Sequence, residues 1–314
     1  MLTVIIVSWN VKDLLRDCLG SLQRHAPAHE AMTVIVVDNA SADGTPQMVA
    51  AEFPQVRLVA NPTNRGFTGG NNDGLAAARK ALDPGDPDSF ALLLNPDTVV
   101  TPGALEALLA FARERPDAGV IGPRLVYGDG SPQSSRRRFP TLATGLFEST
   151  WLQRLAPPGL LNRFFVRDAS EDLPCDVDWV VGAAMLTRWR AIDQVGGLDE
   201  ANFFMYSEEI DWCRRMKTQG WAVIWYPGAT LIHFEAKSSD KVSGLRTLRF
   251  NTSRVRYFAK HHGRAAAAVV RAVLLAGFEA QLAVEACKWL IGHKRSLRAE
   301  RIRAYATVIR SGLA

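Results

Sequence analysis

Cysteine is scarce in this sequence of 314 residues, and the widely separated occurrences are Cys18, Cys175, Cys213 and Cys287. Their spacing contains no CxxC pair and no Cys/His ligand pattern, which argues against a disulfide framework and against a zinc site. No basic segment precedes the first apolar run, VIIVSWN, and that run is too short for a signal peptide or a membrane-spanning helix. We therefore expect a cytoplasmic protein whose chain opens with a core strand.

Two common phosphate-binding signatures are missing as well. The segment NRGFTGGNNDG, residues 64–74, matches neither GxGxxG nor GxxxxGK[ST] in its spacing, which disfavours the usual dinucleotide-binding and P-loop classes. A sugar-nucleotide pyrophosphorylase would need a glycine-rich, basic loop directly after the first strand, where Ser8, Trp9 and Asn10 stand instead. The segment does offer glycines before a helix N-terminus, a combination suited to phosphate.

Acidic residues become rare near the end of the chain. Residues 241–314 contain 15 basic and 3 acidic side chains, whereas residues 1–240 contain 22 basic and 29 acidic ones. This basic tail predicts an anionic partner, either a phospholipid surface or a phosphate-bearing substrate, and nucleic acid is disfavoured because no binding motif is present. The apolar stretch 265–291 contains four charged residues, which favours an interfacial helix, or one packed on the domain, over a spanning helix.

Hydrophobic residues make up 47% and charged residues 22% of the chain, a balance typical of globular proteins. Apolar runs alternate with helical periodicity in the first half, which predicts a parallel α/β sheet with ligands beyond the carboxyl ends of its strands. Residues 127–174 do not show this alternation of apolar runs and helical periodicity, and we predict a long excursion from the α/β pattern there. The predicted strands are 4–8, 33–38, 56–59, 91–94, 119–121, 176–186 and 221–226, and the predicted helices are 12–24, 46–52, 70–81, 102–113, 207–219 and the chain beyond 245.

Polar side chains close two of the apolar runs. Asp38 ends the run VIVVD, and a carboxylate at that edge of the sheet is placed to accept hydrogen bonds from a base or a ribose. The run LLLNPDT delivers Asn95 and Asp97 in the same way, and one hard carboxylate facing a diphosphate suits Mg²⁺ or Mn²⁺. The alternative for Asp97 is a cap on the helix that starts near Pro102.

An acidic cluster and a late histidine add two further candidates. Glu208, Glu209 and Asp211 stand at a predicted helix start, where the mutual repulsion of three carboxylates favours a role in proton transfer. A solvated acidic first turn is the alternative. His233 follows the strand-like run ATLI, where a neutral imidazole serves either as a metal ligand or as a partner in a core hydrogen bond.

The order and approximate spacing of several segments resemble those of the inverting family 2 glycosyltransferases of the GT-A fold. These segments are VSWN, VVDNASADGT, NRGFTGGNN, LLNPDT and FFMYSEEIDWCRR, followed by His233. The resemblance covers residues 2–260 and is greatest to the bacterial rhamnosyltransferase-like branch. It implies a Rossmann-like, mainly parallel mixed sheet with flanking helices over residues 1–240, divided into a nucleotide-binding half (1–122) and an acceptor-side half (123–240). A basic, partly apolar helical tail (241–314) would follow.

The resemblance also implies roles for individual residues on the donor side. Asn95 replaces the first Asp of the family's DxD motif, so Asp97 would be the principal carboxylate ligand of the divalent cation and His233 the second protein ligand. The residues that would border the nucleotide sugar are Val7, Ser8, Asn10, Asp38, Asn64, Arg65, Gly66, Asn71, Asn95 and Asp97.

The implied general base comes from the family's Glu-Asp motif, whose second acid aligns with Glu209. Glutamate stands here where aspartate is more typical, and a displacement of about 1 Å can cost about 100-fold in rate. The order of preference is therefore Glu209, then Glu208, then Asp211. The base would serve a single in-line displacement that inverts the anomeric carbon.

On the acceptor side, the resemblance implies a lining formed by Trp179, Gly182 and Ala183. Arg136, Arg137 and Arg138 would guide a phosphorylated acceptor, for which a basic surface loop is the alternative reading.

The implied activity is a metal-dependent transfer of a hexose, with L-rhamnose preferred, from dTDP-rhamnose or a UDP-sugar. The acceptor would be a hydroxyl of a glycan or of a polyprenyl-diphosphate-linked glycan in cell-envelope polysaccharide synthesis, with the tail at the anionic inner face of the membrane. The alternative, favoured by Asn95 and Glu209, is a nucleotide-sugar-binding module with impaired catalysis.

Overall fold

The computed structural model of the protein describes residues 1–80, 88–234 and 243–314. The end of the helix predicted over 70–81 and the first residues of the predicted tail lie outside the described residues. The strands of the described chain are β1 (Leu2–Ser8), β2 (Met32–Asp38), β3 (Arg57–Ala60), β4 (Phe90–Leu94), β5 (Thr98–Val100), β6 (Ala118–Val126), β7 (Pro132–Gln133), β8 (Arg136–Arg137), β9 (Cys175–Asp176), β10 (Trp179–Val180), β11 (Ala184–Arg188) and β12 (Ala222–His233).

Helices alternate with these strands in the first half of the chain and replace them at its end. They are α1 (Lys12–Arg24), α2 (Thr45–Glu52), α3 (Gly66–Arg79), α4 (Ala104–Glu114), α5 (Leu142–Phe147), α6 (Leu160–Phe164), α7 (Trp189–Val195), α8 (Glu208–Thr218), α9 (Ser243–Leu290) and α10 (Arg295–Ser311). A 3₁₀ turn, Gln153–Leu155, lies between α5 and α6.

The chain divides into two compact units. The first comprises Met1–Phe139, Phe165–Glu200 and Glu208–Ser238, and the second comprises Pro140–Phe164, Ala201–Ser207 and Ser239–Ala314. By this division the C-terminal helices belong to the same unit as α5 and α6.

The first unit contains a mixed, mainly parallel sheet, as predicted. The strand order along the sheet is β3-β2-β1-β4-β11-β6-β12-β5, with β7 paired to β6 and β9 paired to β12. Strands β1, β2, β3 and β4 pair in parallel, and so do β6 and β12, whereas β11 runs antiparallel between β4 and β6. Strands that are buried on both faces, such as the fully buried FALLL of β4, explain the continuous apolar runs in the sequence.

Two predicted boundaries are wrong for identifiable reasons. The single strand predicted over 176–186 is three short strands, because β10 leaves the large sheet to pair with β8. The strand predicted to end at Tyr226 continues to His233, because a register shift between Tyr226 and Thr230 lets the ladder resume on β6. The excursion predicted over 127–174 contains β7, β8, α5, the 3₁₀ turn and α6.

Glycines in α3 allow that helix to pack closely on β1. A Cβ atom added at Gly70 would lie 2.7 Å from Val7 Cγ1, and one added at Gly74 would lie 2.3 Å from Ile5 Cγ2. Both distances are shorter than van der Waals contact, so only glycine fits there. The helix predicted to begin at residue 70 thus begins at Gly66, and Gly70 and Gly74 serve helix–sheet packing.

The second unit is helical in its described part. Gly263 adopts φ 87° and ψ 165°, which breaks the regular course of α9, and α10 packs against α9. An internal ion pair joins them, with 2.7 Å between Arg298 Nη1 and Glu285 Oε2. By length and composition, Gly244–Leu290 is long and apolar enough to cross a membrane, and 28% of its apolar window is buried within the protein.

Candidate active site

Two polar side chains meet at the carboxyl edge of the first unit's sheet. Ser8 ends β1 and Asp38 ends β2, and the parallel register places the two residues side by side. Asp38 Oδ2 accepts a hydrogen bond from the Ser41 backbone N–H at 2.9 Å. Within the described residues, Asp38 Oδ1 and Ser8 Oγ are buried without a hydrogen-bond partner. Since buried polar atoms are normally paired, these two atoms mark a place for a polar ligand group.

Asn10 connects the loops that follow β1 and β2. Its backbone N–H donates to Ser41 Oγ at 2.9 Å, and its Oδ1 accepts from the Ala42 backbone N–H at 2.8 Å. The residue adopts φ 55°, a left-handed conformation that asparagine tolerates better than most residues. Asn10 therefore links the two loops that lie beside Ser8 and Asp38.

The residues at the start of α3 are engaged with one another. Asn64 Oδ1 accepts from the Gly66 backbone N–H at 2.8 Å, and Asn71 Nδ2 donates to the Phe67 carbonyl at 2.9 Å. Arg65 pairs with Asp73 and, at 3.0 Å, with Glu200. These contacts stabilise the helix start, and the predicted contacts of the segment with a nucleotide sugar stay predictions.

Asp97 and His233 lie together although 136 positions separate them. Strand β5 begins directly after Asp97 and pairs with the end of β12, with Thr98 opposite His233. His233 Nε2 lies 3.3 Å from Asp97 Oδ1 and 3.4 Å from Asn95 Nδ2. Asp97 is 4% exposed and His233 5% exposed. The alternative role for Asp97 is wrong, because α4 begins at Ala104 with Gly103 at its N-cap.

The contact with Gln133 assigns the tautomer of the neutral His233 ring. Gln133 Oε1 lies 2.8 Å from His233 Nδ1, and a carbonyl oxygen only accepts, so we assign the proton of the neutral ring to Nδ1. The Nε2 lone pair then faces the Asp97 carboxylate, and two acceptors at this distance suit a cation between them. Local sequence carries no sign of this role, because Gln133 lies in the excursion over 127–174 and reaches the site through the pairing of β7 with β6.

The donor set therefore fits a divalent cation. A carboxylate and an imidazole are two protein ligands, and Mg²⁺ or Mn²⁺ commonly completes its shell with substrate oxygens and water. Within residues 1–80, 88–234 and 243–314, no group of three or more His, Cys, Asp or Glu side chains is arranged to hold a metal. Asp97 and His233 would thus need the substrate's own oxygens.

The three carboxyl groups at the start of α8 lie in different surroundings. Burial, and then the neighbouring Glu209, raise the pKa of Glu208 well above its usual range. Asp211 is fully buried and ion-paired to Arg215 Nε at 2.9 Å, and Arg215 also donates to the backbone carbonyls of Val195 and Gly197. Asp211 therefore belongs to an internal clasp that holds α8 to the end of α7.

Glu209 lies beside the predicted acceptor-side residues. A Cβ atom added at Gly182 would be 3.7 Å from Glu209 Cβ and 3.6 Å from Phe67 Cζ. The absence of a side chain at Gly182 thus leaves space in front of Glu209. The two residues preceding α8, Tyr206 and Ser207, have φ values of 69° and 67°, a strained conformation of the kind found at functional sites.

The other predicted acceptor-side residues support the site through the backbone. The Ala183 carbonyl accepts from the Asn95 backbone N–H at 2.9 Å, which ties this segment to the end of β4. Trp179 Nε1 donates to the Arg138 carbonyl at 2.9 Å, and Trp179 pairs with Arg137 in the small sheet. The Arg136–Arg137 segment is therefore part of the sheet framework and not a loose surface loop.

Fold and site together define a class of protein. The sheet is mixed and mainly parallel, with unpaired polar atoms at the ends of β1 and β2 and a carboxylate–imidazole pair after β4. Together with the acidic start of α8, this is the arrangement of a GT-A glycosyltransferase.

Comparison with known proteins narrows the class to a family. Residues 3–171 match the family described as "Glycosyl transferase family 2", and the chain belongs to that family. N-acetylglucosaminyl-diphospho-decaprenol L-rhamnosyltransferase of Mycobacterium tuberculosis is 31% identical over 265 residues, which cover 83% of this chain and 85% of that protein. Rhamnosyltransferase WbbL of Escherichia coli is 25% identical over 237 residues, covering 74% of this chain and 83% of the relative.

A solved structure agrees with this fold. The mannosyltransferase PcManGT from Pyrobaculum calidifontis, in complex with GDP-Man and Mn²⁺, superimposes with a TM-score of 0.54 at 17% identity. The match covers 98% of this chain and 86% of that one. The chain thus has the GT-A architecture, and the resemblance to the rhamnosyltransferase-like branch of family 2 is confirmed.

Proposed function

We propose that this glycosyltransferase moves a hexose, with L-rhamnose as the first candidate, from a nucleoside-diphosphate sugar to a hydroxyl group of a cell-envelope glycan. The rhamnosyltransferase relatives support the choice of sugar, and the name of the Mycobacterium relative supports an acceptor carried on a polyprenyl diphosphate. The donors to test are dTDP-rhamnose first and UDP-sugars next. The observation that carries the proposal is the buried Asp97–His233 pair at the edge of the sheet.

The nucleotide would bind at the ends of β1 and β2. Asp38 Oδ1 and Ser8 Oγ, which are buried and unpaired among the described residues, are suited to hydrogen bonds with the base or the ribose. Asn10 would link the two loops beside this site, and the start of α3 would border the sugar.

Asp97 and His233 would hold a divalent cation, and the contact of Gln133 with Nδ1 would orient the Nε2 lone pair of the neutral His233 ring towards it. When bound, the cation neutralises negative charge on the departing nucleoside diphosphate. Asn95 lies next to this pair and is suited to hydrogen-bond the donor.

Glu209 is the first candidate for the general base. Its carboxylate would accept the proton of the acceptor hydroxyl while the hydroxyl oxygen bonds to the anomeric carbon and the bond from that carbon to the phosphate oxygen breaks. Configuration at the anomeric carbon inverts in this single step. Glu208 ranks second, because its raised pKa favours the protonated form, and Asp211 third, because Arg215 holds it in an ion pair.

The decisive experiment is a transfer assay analysed by mass spectrometry. The purified full chain is incubated with Mn²⁺, with dTDP-rhamnose or UDP-sugars, and with a short prenyl-diphosphate-linked N-acetylglucosamine. We expect a product heavier by one sugar, and Glu209→Gln should lower kcat by about 100-fold or more while nucleotide binding is retained. Nucleotide binding without transfer from any donor would favour the alternative, a catalytically impaired nucleotide-sugar-binding module.

The second unit supports a peripheral membrane location at the cytoplasmic face. Trp289 and Leu290, the last residues of α9, and Ile291, which follows them, are 39%, 67% and 80% exposed. Lys294 and Arg295 follow after Gly292 and His293. Exposed apolar side chains next to basic ones suit an anionic bilayer, where lipid-linked acceptors reside.

A further inference from the structure

A cavity in the first unit whose lining combines charged and apolar side chains has no part in the mechanism described above. It has a volume of about 360 Å³, and its charged lining residues are Arg124, Arg136, Arg167 and Glu171. Three guanidinium groups against one carboxylate make the lining positive. A cavity of this size accommodates a small anionic group together with part of a sugar.

Arg136 supplies a buried charge to this lining. The residue is 6% exposed, and its guanidinium donates to the carbonyl oxygens of Ala169 at 2.9 Å and Ser170 at 2.6 Å. In the part of the chain that the structure describes, no carboxylate forms an ion pair with Arg136. Carbonyl oxygens satisfy its N–H groups but do not neutralise its charge, and a buried charge without a counter-ion is costly.

Two of these guanidinium groups lie over the indole ring of Trp225. The Cζ atoms of Arg136 and Arg124 lie 4.2 and 5.9 Å from the centroid of Trp225, whose Nε1 donates to Ser135 Oγ at 3.1 Å. Arg124 also contacts Asp172 at 3.3 Å, but that carboxylate is 88% exposed and an ion pair of this kind is weak. Stacked arginines are preorganised to bind phosphate oxygens through paired N–H groups.

The cavity adjoins both parts of the candidate active site. Gln133 is one of its lining residues and is hydrogen-bonded to His233. Arg136 pairs with Val180 in the small sheet, two residues before Gly182, which lies beside Glu209. A sugar carrying a diphosphate at its anomeric carbon presents its hydroxyl groups within one pyranose ring of that diphosphate.

We propose that this cavity binds the phosphate or diphosphate group through which the acceptor sugar is attached to its carrier. The inference rests on the proposed function for the identity of the substrate, but not for the anion site itself. The donor's diphosphate has the same chemistry, so the experiments must separate the two sources.

The anion site is tested by calorimetric titration of inorganic pyrophosphate into the full chain, at low salt and with EDTA present. We expect Arg124→Gln/Arg167→Gln to bind pyrophosphate about tenfold more weakly than the unmodified protein. Arg16→Gln is the matched control, because Arg16 is an arginine of α1 paired with Glu52 outside the cavity, and it should bind as the unmodified protein does. Thermal melting verifies that all three proteins fold.

Equal pyrophosphate binding by the double variant and the unmodified protein, or no binding by the unmodified protein, would overturn the anion site whatever the outcome of the transfer assay.

In the transfer assay, the KM for a diphosphate-linked acceptor should rise about tenfold in the double variant. The KM values for the donor and for the same sugar as a neutral alkyl glycoside should not change. A rise in donor KM instead would assign the cavity to the donor and refute the acceptor assignment. Failure of the unmodified protein to transfer any sugar would refute the proposed function, and the pyrophosphate titration would still decide the anion site.

Discussion

Among single residues, Asp97 forms the contact on which the proposed metal chemistry depends. Asp97→Asn keeps the shape of the side chain but removes its negative charge, so we expect Mn²⁺-dependent binding of the donor nucleotide to fall by about tenfold or more. Calorimetry with UDP and dTDP, each with Mn²⁺ and with EDTA, measures the effect. Asp13→Asn, a change at an exposed carboxylate on α1, is the control and should leave binding unchanged. Metal-dependent binding that survives Asp97→Asn would remove Asp97 from the ligand set.

Glu208 gives a prediction about stability and pH. Its pKa is raised in the folded protein by burial and by Glu209, whereas the pKa of a glutamate in the unfolded chain is about 4.3. Above that pH, unfolding releases the proton that Glu208 keeps in the folded state. Stability attributable to this group is therefore complete below about pH 4.3 and falls as pH rises towards the folded pKa.

The matching variant is Glu208→Gln, which cannot titrate. We expect its advantage in unfolding free energy over the unmodified protein to grow with pH above ~4.3, by at most about 1.4 kcal/mol per pH unit. Urea denaturation of both proteins between pH 4 and pH 8 measures the difference. A difference that is constant with pH would contradict the raised pKa.

At the scale of secondary-structure elements, the packing of α3 on β1 depends on Gly74. Gly74→Ala places a methyl group 2.3 Å from Ile5 Cγ2, and overpacking of this kind costs about 1–3 kcal/mol despite the better helix propensity of alanine. Gly20→Ala in α1 is the matched control, because its Cβ would meet only the flexible end of Arg24. Chemical denaturation should show Gly74→Ala destabilised and Gly20→Ala unchanged or stabilised by up to about 1 kcal/mol.

For the whole molecule, the distribution of charge gives a prediction about membrane binding. The residues around α9 and α10 are basic, and Leu290 and Ile291 are among the most exposed apolar side chains of the described chain. We expect Leu290→Ser/Ile291→Ser to reduce co-sedimentation with vesicles rich in phosphatidylglycerol by at least about threefold. Leu155→Ser/Leu173→Ser, which alters two other exposed leucines, should sediment like the unmodified protein. Equal loss in both variants would mean that Leu290 and Ile291 have no special role.

Much of the first unit could be predicted from local sequence. The α/β alternation, the ends of β1 and β2 and the helix over 12–24 follow from apolar runs and helical periodicity, which are properties of neighbouring residues. The three-part division of 176–186 could not be predicted, because it depends on a partner strand about 40 residues away in the chain. The same limit hid Gln133, whose role exists only through its hydrogen bond to His233, 100 positions later.

The family, the order of strands and helices and the polar residues at the strand ends could all be predicted from motif order and periodicity, which are properties of the chain alone. How these residues are used depends on the folded structure. The pairing of β5 with β12 places Asp97 beside His233. Burial raises the pKa of Glu208, and Arg215 forms an ion pair with Asp211. These outcomes depend on which side chains meet in space and on how far water is excluded from them, and neither quantity is encoded in local sequence.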